Sequence, residues 1–178
     1  ITPINFISLS EYLGLIVPLG EYVLRQTFLT CKKWNEAGKK DFKVNVNLSV
    51  VQLLQNDIVD TVKMTLEKTG INPHNLTLEV TESLAINDME RMKEILNSIR
   101  SLGVRIALDD FGTGYSSLNH IREIPLDVIK VDQNFVKDLA QDNYSKSFIR
   151  MVGELADAIG VHVCVEGIET KRQFEVLN

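Results

Sequence analysis

Two aspartates stand side by side at Asp109 and Asp110, closing the apolar run Val104–Leu108, and Phe111-Gly112-Thr113-Gly114 follows them directly. Adjacent carboxylates repel unless a cation or positioned donors hold them. The pattern recurs along the chain. Asn47 lies at the end of one apolar-alternating run and Glu79 at the end of another. Lys130 with Asp132 closes a third, and Glu166 with Glu169 follows a fourth. A single carboxylate in such a place is more often a helix cap or a solvated loop residue. Five successive strand ends carrying an acid, an amide or a lysine are not explained by solvation.

The residue types suit a hard divalent cation. Glu79, Asp109 and Asp110 offer carboxylate oxygens and Asn47 a neutral carbonyl oxygen, a set that fits Mg²⁺ or Mn²⁺. His74, His120 and His162 have no zinc-ligand spacing and read as surface or packing residues. Lys130, among carboxylates, could orient an attacking water or stabilise a developing oxyanion, or it could simply balance the acids. Glu166 could accept the proton of that water. Together these groups suit hydrolysis of a phosphate ester. The two glycines of "FGTG" are not a P-loop, because no Lys-Ser/Thr follows and GxGxxG is absent. They read instead as part of a polar loop (Phe111, Gly112, Thr113, Gly114, Tyr115, Ser116) lying over the pocket. Glu82 could hold that loop, or could cap a turn of its own.

The elements that must position these groups alternate. Strands are expected at Lys43–Leu48, Leu76–Val80, Val104–Leu108, Val128–Val131 and Val161–Val165. Between them lie amphipathic helices. One begins near Pro18 with Val23, Leu24, Thr27, Phe28, Cys31 and Trp34 on one face. A second follows Asp57, a third follows Asp88 as N-cap, and a fourth carries Phe148 to Ile159. Each stops at a glycine, and a further helix opens before Asn178. Strand–helix alternation means a mostly parallel sheet, either doubly wound or closed as a barrel. In both, chemistry gathers at the carboxyl ends of the strands. Five strands in 178 residues fall short of the ~250 residues of a whole barrel. A chain starting at Ile1 and ending inside a helix therefore favours an incomplete (β/α)8 TIM-like barrel.

Composition sets the outer limits. A net charge of −5 argues against a nucleic-acid polymer or an anionic membrane as partner. No apolar stretch approaches the ~18 residues of a membrane span, and no signal-peptide pattern appears. Two distant cysteines, Cys31 and Cys164, are expected free in a reducing cytoplasm.

The motifs "VNVNLS", "LTLEVTES", "RIALDDFGTGYSSL", "PLDVIKVD" and "VCVEGIET", in this order and spacing, resemble the EAL-domain family of bacterial cyclic di-GMP phosphodiesterases. The likeness runs from about Thr2 to Leu177. It implies an α/β barrel of the EAL type whose first strand is antiparallel to the rest. It also implies Mg²⁺- or Mn²⁺-dependent hydrolysis of cyclic di-GMP to linear pGpG. By motif position, Asn47, Glu79, Asp109 and Asp110 match metal ligands, and Lys130 and Glu166 match the residues that activate water. Asp110, Asp132 and Glu169 match the substrate pocket. The loop from Asp110 to Asn119, with Glu82 as its anchor, matches one that links the metal site to a dimer interface. A homodimer and covalently linked sensory or GGDEF-type domains are the implied partners.

Residues 1–178 then read as a partial EAL domain lacking the Glu-Ala-Leu strand and the last strand region, so that the isolated piece is expected to be weak or inactive and its open edge covered, for instance by a second chain. Small departures from the family pattern, Val50–Val51 after "NLS" and Gln133–Asn134 after "KVD", remove no ligand. The alternative is a cyclic di-GMP receptor that binds without cleaving. A phosphoacceptor switch domain is disfavoured, because its acid pair should follow the first strand.

Overall fold

The structure, a computed structural model, describes residues 2–82, 89–114, 118–139 and 141–177, apart from the side chains of residues 3–5 and 118–120. Helices α1 (Pro3–Tyr12) and α2 (Ile16–Glu36) precede strand β1 (Val44–Asn47). The short α3 (Val50–Leu53) and then α4 (Ile58–Thr69) lead to β2 (Leu76–Thr81). Next come α5 (Met89–Ser101), β3 (Arg105–Phe111), α6 (Leu118–Glu123) and β4 (Val128–Val131). The chain continues through α7 (Asn134–Lys137), α8 (Asn143–Ile159), β5 (His162–Val165) and α9 (Lys171–Leu177).

The five strands form one parallel sheet in the order β1-β2-β3-β4-β5. Each new strand is added beside the last. A doubly wound sheet instead reverses direction at a switch point, so this order is that of an arc of a TIM-like barrel. The middle strands are buried on both faces: every residue of β4, and all of β2 except Thr81, is buried. Helix α2 packs on β1 and α4, α4 on α5, and α8 on β5. Their apolar stripes join Leu78, Ile106, Leu108 and Ile129 of the sheet in one continuous core.

Most expected elements are present, with informative differences. Helix α2 starts at Ile16, two residues before Pro18, which still falls in the first turn where backbone N–H groups have no intrahelical partner. On its expected apolar face Leu24, Phe28 and Cys31 are buried, but Val23 and Trp34 are exposed. Trp34 instead packs edge-on against Phe42 with ring centroids 4.6 Å apart. Helices α4 and α8 end at Gly70 and Gly160 in the left-handed conformation. The Asp88 cap lies outside the described residues. Both cysteines are free.

The larger difference is in β3, which runs on through both aspartates to Phe111 instead of stopping at Leu108. Leu108 pairs with Ile129, yet Phe111 pairs with Val131, so β3 carries one residue more than β4 across this interval. Asp110 takes up the extra length with a φ of 55°. Aspartate is among the side chains that tolerate this left-handed region.

Candidate active site

The sheet register assembles the site. Asn47 and Glu79 are direct partners across β1 and β2. Asp109 sits opposite Thr81, two residues further along than Glu79's own partner Ala107, and two residues in a strand return to the same face. Lys130 lies on β4, opposite Cys164 of β5 and level with the extra residue in β3. Glu166 follows β5, and its N–H donates to the Val131 carbonyl at 3.1 Å.

Three carboxylates converge on the Lys130 ammonium: Oε1 of Glu79 at 2.7 Å, Oδ1 of Asp109 at 2.8 Å and Oε1 of Glu166 at 2.9 Å. Lys130, Glu79 and Asp109 are all shielded, whereas the Glu166 side chain is 39% exposed. Burial works to lower the Lys130 pKa, but hydrogen bonds to Asp109, Glu79 and Glu166 outweigh it and hold the lysine charged well beyond its usual range. The Asn45 amide donates to the same Glu79 Oε1 at 2.8 Å.

Asp109 Oδ1 also accepts the Asp110 N–H at 3.0 Å. The Asp110 carboxyl is pushed up by desolvation and by the charges of Asp109, Asp132 and Glu166, with Lys130 opposing them. Asp132 is buried, and its Oδ1 accepts the Asn134 N–H at 2.9 Å, which opens α7.

Glu82 is buried, and its Oε2 accepts from the backbone N–H of Gly112 at 3.3 Å and of Gly114 at 2.8 Å. Gly112 has a φ of 98° and lies against two rings: a Cβ there would fall 2.5 Å from Phe148 Cζ and 2.6 Å from Phe135 Cε2. Phe135 and Phe148 stack at 4.0 Å, and Phe111 extends the stack at 6.0 Å from Phe148. Thr113 closes back onto the Asp110 carbonyl through its hydroxyl at 2.9 Å. Tyr115 and Ser116 lie outside the described residues.

A cleft of about 730 Å³ opens beside β1, lined by Asn45, Asn47, Ser49, Glu79 and Thr81 among others. That is the size of a small-molecule site. A groove of about 560 Å³ between α2 and α4 carries none of the strand-end acids.

Register thus brings Asn47, Glu79, Asp109, Lys130 and Glu166 to one end of the sheet. Glu169, three residues on, is exposed, and its N–H donates to Gln173 Oε1 at 2.9 Å. Among the described residues no three His, Cys, Asp or Glu side chains are gathered as a ready cation cage, because the carboxylates close on Lys130 instead. The donor types still suit a hard cation, and the register puts Asn47, Glu79 and Asp109 at the same end of the sheet. A carboxylate has two oxygens and about four lone-pair sites, so one bond to lysine leaves coordinating capacity.

Sequence reasoning passed over Asn45 and Gln173. Asn45 could have been noticed as an amide two residues before Asn47 on the same face of a strand. Gln173 could have been noticed from Thr170-x-x-Gln173, the spacing of a capping box.

The EAL domain family profile matches residues 1–178. The chain is 37% identical over 99% of its length to the bifunctional diguanylate cyclase/cyclic di-GMP phosphodiesterase MucR of Pseudomonas aeruginosa, covering 26% of that protein. It is 36% identical over 97% of its length to the cyclic di-GMP phosphodiesterase PdeR of Escherichia coli, again covering 26%. It therefore spans about a quarter of the length of these curated relatives. A structure of the MucR phosphodiesterase in complex with c-di-GMP superposes with a TM-score of 0.92 at 37% identity, covering 99% of this chain and 72% of that one. The EAL domain of DcpA from Mycobacterium smegmatis gives a TM-score of 0.85 at 34% identity, covering 89% of this chain and 72% of that one. With the arc of parallel strands, the charged strand ends and a profile match along its whole length, the chain belongs to the EAL domain family.

Proposed function

We propose that residues 1–178 form part of an EAL-type barrel that hydrolyses one 3′,5′-phosphodiester bond of cyclic di-GMP to give linear pGpG, with Mg²⁺ or Mn²⁺ as cofactor. The observation that carries this reading is the gathering of Asn47, Glu79, Asp109 and Lys130 at one end of the sheet by its register, with Glu166 beside them and partly open to solvent.

Asn47, Glu79, Asp109 and Asp110 would hold the cation. A divalent cation supplies charge neutralisation at the phosphate and a more acidic water. The chain's own residues do the rest. Glu166, the most exposed member of the cluster, accepts the proton of the water that attacks phosphorus while the bond to the 3′-oxygen breaks. Lys130 holds Glu166 and Asp109 in place and offsets negative charge gathering on the phosphate. Asp110, Asp132 and Glu169 border the bound dinucleotide, and Glu82 fixes the Phe111–Gly114 loop that connects the site to a second copy of the chain. GGDEF-type or sensory domains elsewhere in the same protein would set the signal. A cytoplasmic site of action goes with this reading of the substrate as an intracellular second messenger; among the described residues no helix is long and apolar enough to cross a membrane.

A second reading is a receptor that binds cyclic di-GMP without cleaving it, favoured by the closure of the carboxylates on Lys130 instead of in an open cage. One experiment separates the two. The whole protein is incubated with cyclic di-GMP in Mg²⁺, Mn²⁺ or Ca²⁺, and products are resolved by chromatography. The phosphodiesterase reading expects pGpG with Mg²⁺ or Mn²⁺, and a loss of about 10²–10⁴ in turnover for Lys130→Ala. Binding without product under either cation leaves the receptor.

A further inference from the structure

Gln173 is a polar side chain left only 8% exposed, with both ends of its amide engaged. Its Oε1 accepts from the Glu169 N–H at 2.9 Å, the Thr170 N–H at 2.8 Å and the Thr170 hydroxyl at 3.0 Å. Its own N–H returns to Thr170 Oγ1 at 3.2 Å. This is a capping box in which Thr170 and Gln173 satisfy each other's backbone at the start of α9.

The other end does something a cap does not need. Nε2 donates to the Val136 carbonyl at 3.0 Å, across 37 residues of sequence, in the α7 turn that follows Asp132. A glutamate would serve the cap equally well but would set a carboxylate against that carbonyl. Only an amide satisfies both sides. A separate contact shows how closely the two segments fit. Gly167, with a φ of 78°, lies so near Gln133 that a Cβ would fall 2.6 Å from Gln133 Cβ.

We infer that Gln173 is a positioning residue. It clamps the segment carrying Glu166 and Glu169 onto the α7 turn and so fixes where Glu166 stands relative to Lys130. This rests on the phosphodiesterase reading, in which Glu166 takes the proton. Glu166 needs such a clamp because it follows the last residue of β5 and is the most exposed member of the cluster.

The test compares Gln173→Glu with Thr170→Ala in the whole protein. Gln173→Glu keeps the cap and removes the cross-segment donor. Thr170→Ala removes the cap hydroxyl and keeps the bond to Val136. Melting temperature, KM, kcat and hydrogen exchange of residues 166–170 are measured for both. Gln173→Glu is expected to melt below the wild type yet stay folded at the assay temperature, to hold KM within about twofold and to lose about tenfold or more in kcat, as small misplacements of a reacting group do. Exchange at 166–170 should rise in the same variant. Thr170→Ala should lower the melting temperature and keep kcat within about twofold. Equal kcat losses in both variants, or unchanged kcat in Gln173→Glu, would overturn the clamp. Absence of turnover in the wild type overturns the phosphodiesterase reading and the positioning role with it, whatever exchange shows.

Discussion

The ammonium of Lys130 reaches Oε1 of Glu79 at 2.7 Å although a whole strand, β3, separates them. The pair is bridged by Asp109 from the strand between, so one buried cation on β4 serves carboxylates of β2 and β3 and, through Glu166, the segment after β5. Removing one partner of a buried ion pair leaves the others without compensation. Lys130→Met should therefore destabilise the fold by about 3–5 kcal/mol in urea denaturation. Because bonds to its partners raise the lysine pKa on folding, this contribution is complete below the unfolded value near 10.4 and fades only as pH climbs above it. The stability gap between wild type and variant should stay constant from neutral pH to about 10 and then shrink.

Asp110→Asn should act in the opposite direction. Partial desolvation and neighbouring acids raise the Asp110 carboxyl, so ionising it opposes folding, and stability falls as pH rises from about 3.9 through the raised value. Asparagine removes the charge yet accepts the φ of 55°. Without added divalent cation the variant should melt higher at neutral pH, by less than the ~2–4 °C that 1 kcal/mol moves a domain of this size, because the group is exposed and screened. The gain should vanish near pH 4. Stabilisation by Mg²⁺ should be weaker in the variant.

Gly112→Ala tests the loop. Its Cβ would meet Phe148 and Phe135 at 2.5 and 2.6 Å, and φ is 98°. Overpacking of this kind is expected to cost about 1–3 kcal/mol, read by denaturation, together with loss of turnover.

Asp127 separates stability from chemistry. Its Oδ2 accepts the N–H of the buried Ile106 at 2.8 Å, and Arg100 pairs with its Oδ1 at 2.7 Å. Asp127→Ala strands that N–H at the start of β3 and should cost about 1–3 kcal/mol while kcat stays near wild type.

The strand-end residues were readable because parallel α/β folds place every strand's carboxyl end on one side, so residue type and position along the run were enough to nominate Asn47, Glu79, Asp109, Lys130 and Glu166. The continuation of β3 was not readable. Aspartate is depleted in strands, and only tertiary pairing carries the strand on, through Asp109 opposite Thr81 of β2 and Phe111 opposite Val131 of β4. Trp34 had helical periodicity in its favour, yet its ring is occupied by Phe42 from the segment beyond the helix. Its spacing from Asn47 makes Asn45 noticeable as a strand amide on the same face, but nothing local reveals that it meets Glu79, 34 residues away.

The extra residue in β3 has a bearing on recombination between relatives. Asp109 and Asp110 together span the interval that Lys130 alone spans on β4, so the two strands are matched in count only as a pair. A chimaera whose crossover separates β3 of one parent from β4 of another should be viable only when both parents carry the same offset. Crossovers placed before α5 or after β4 keep the pair intact and are the ones expected to yield folded hybrids.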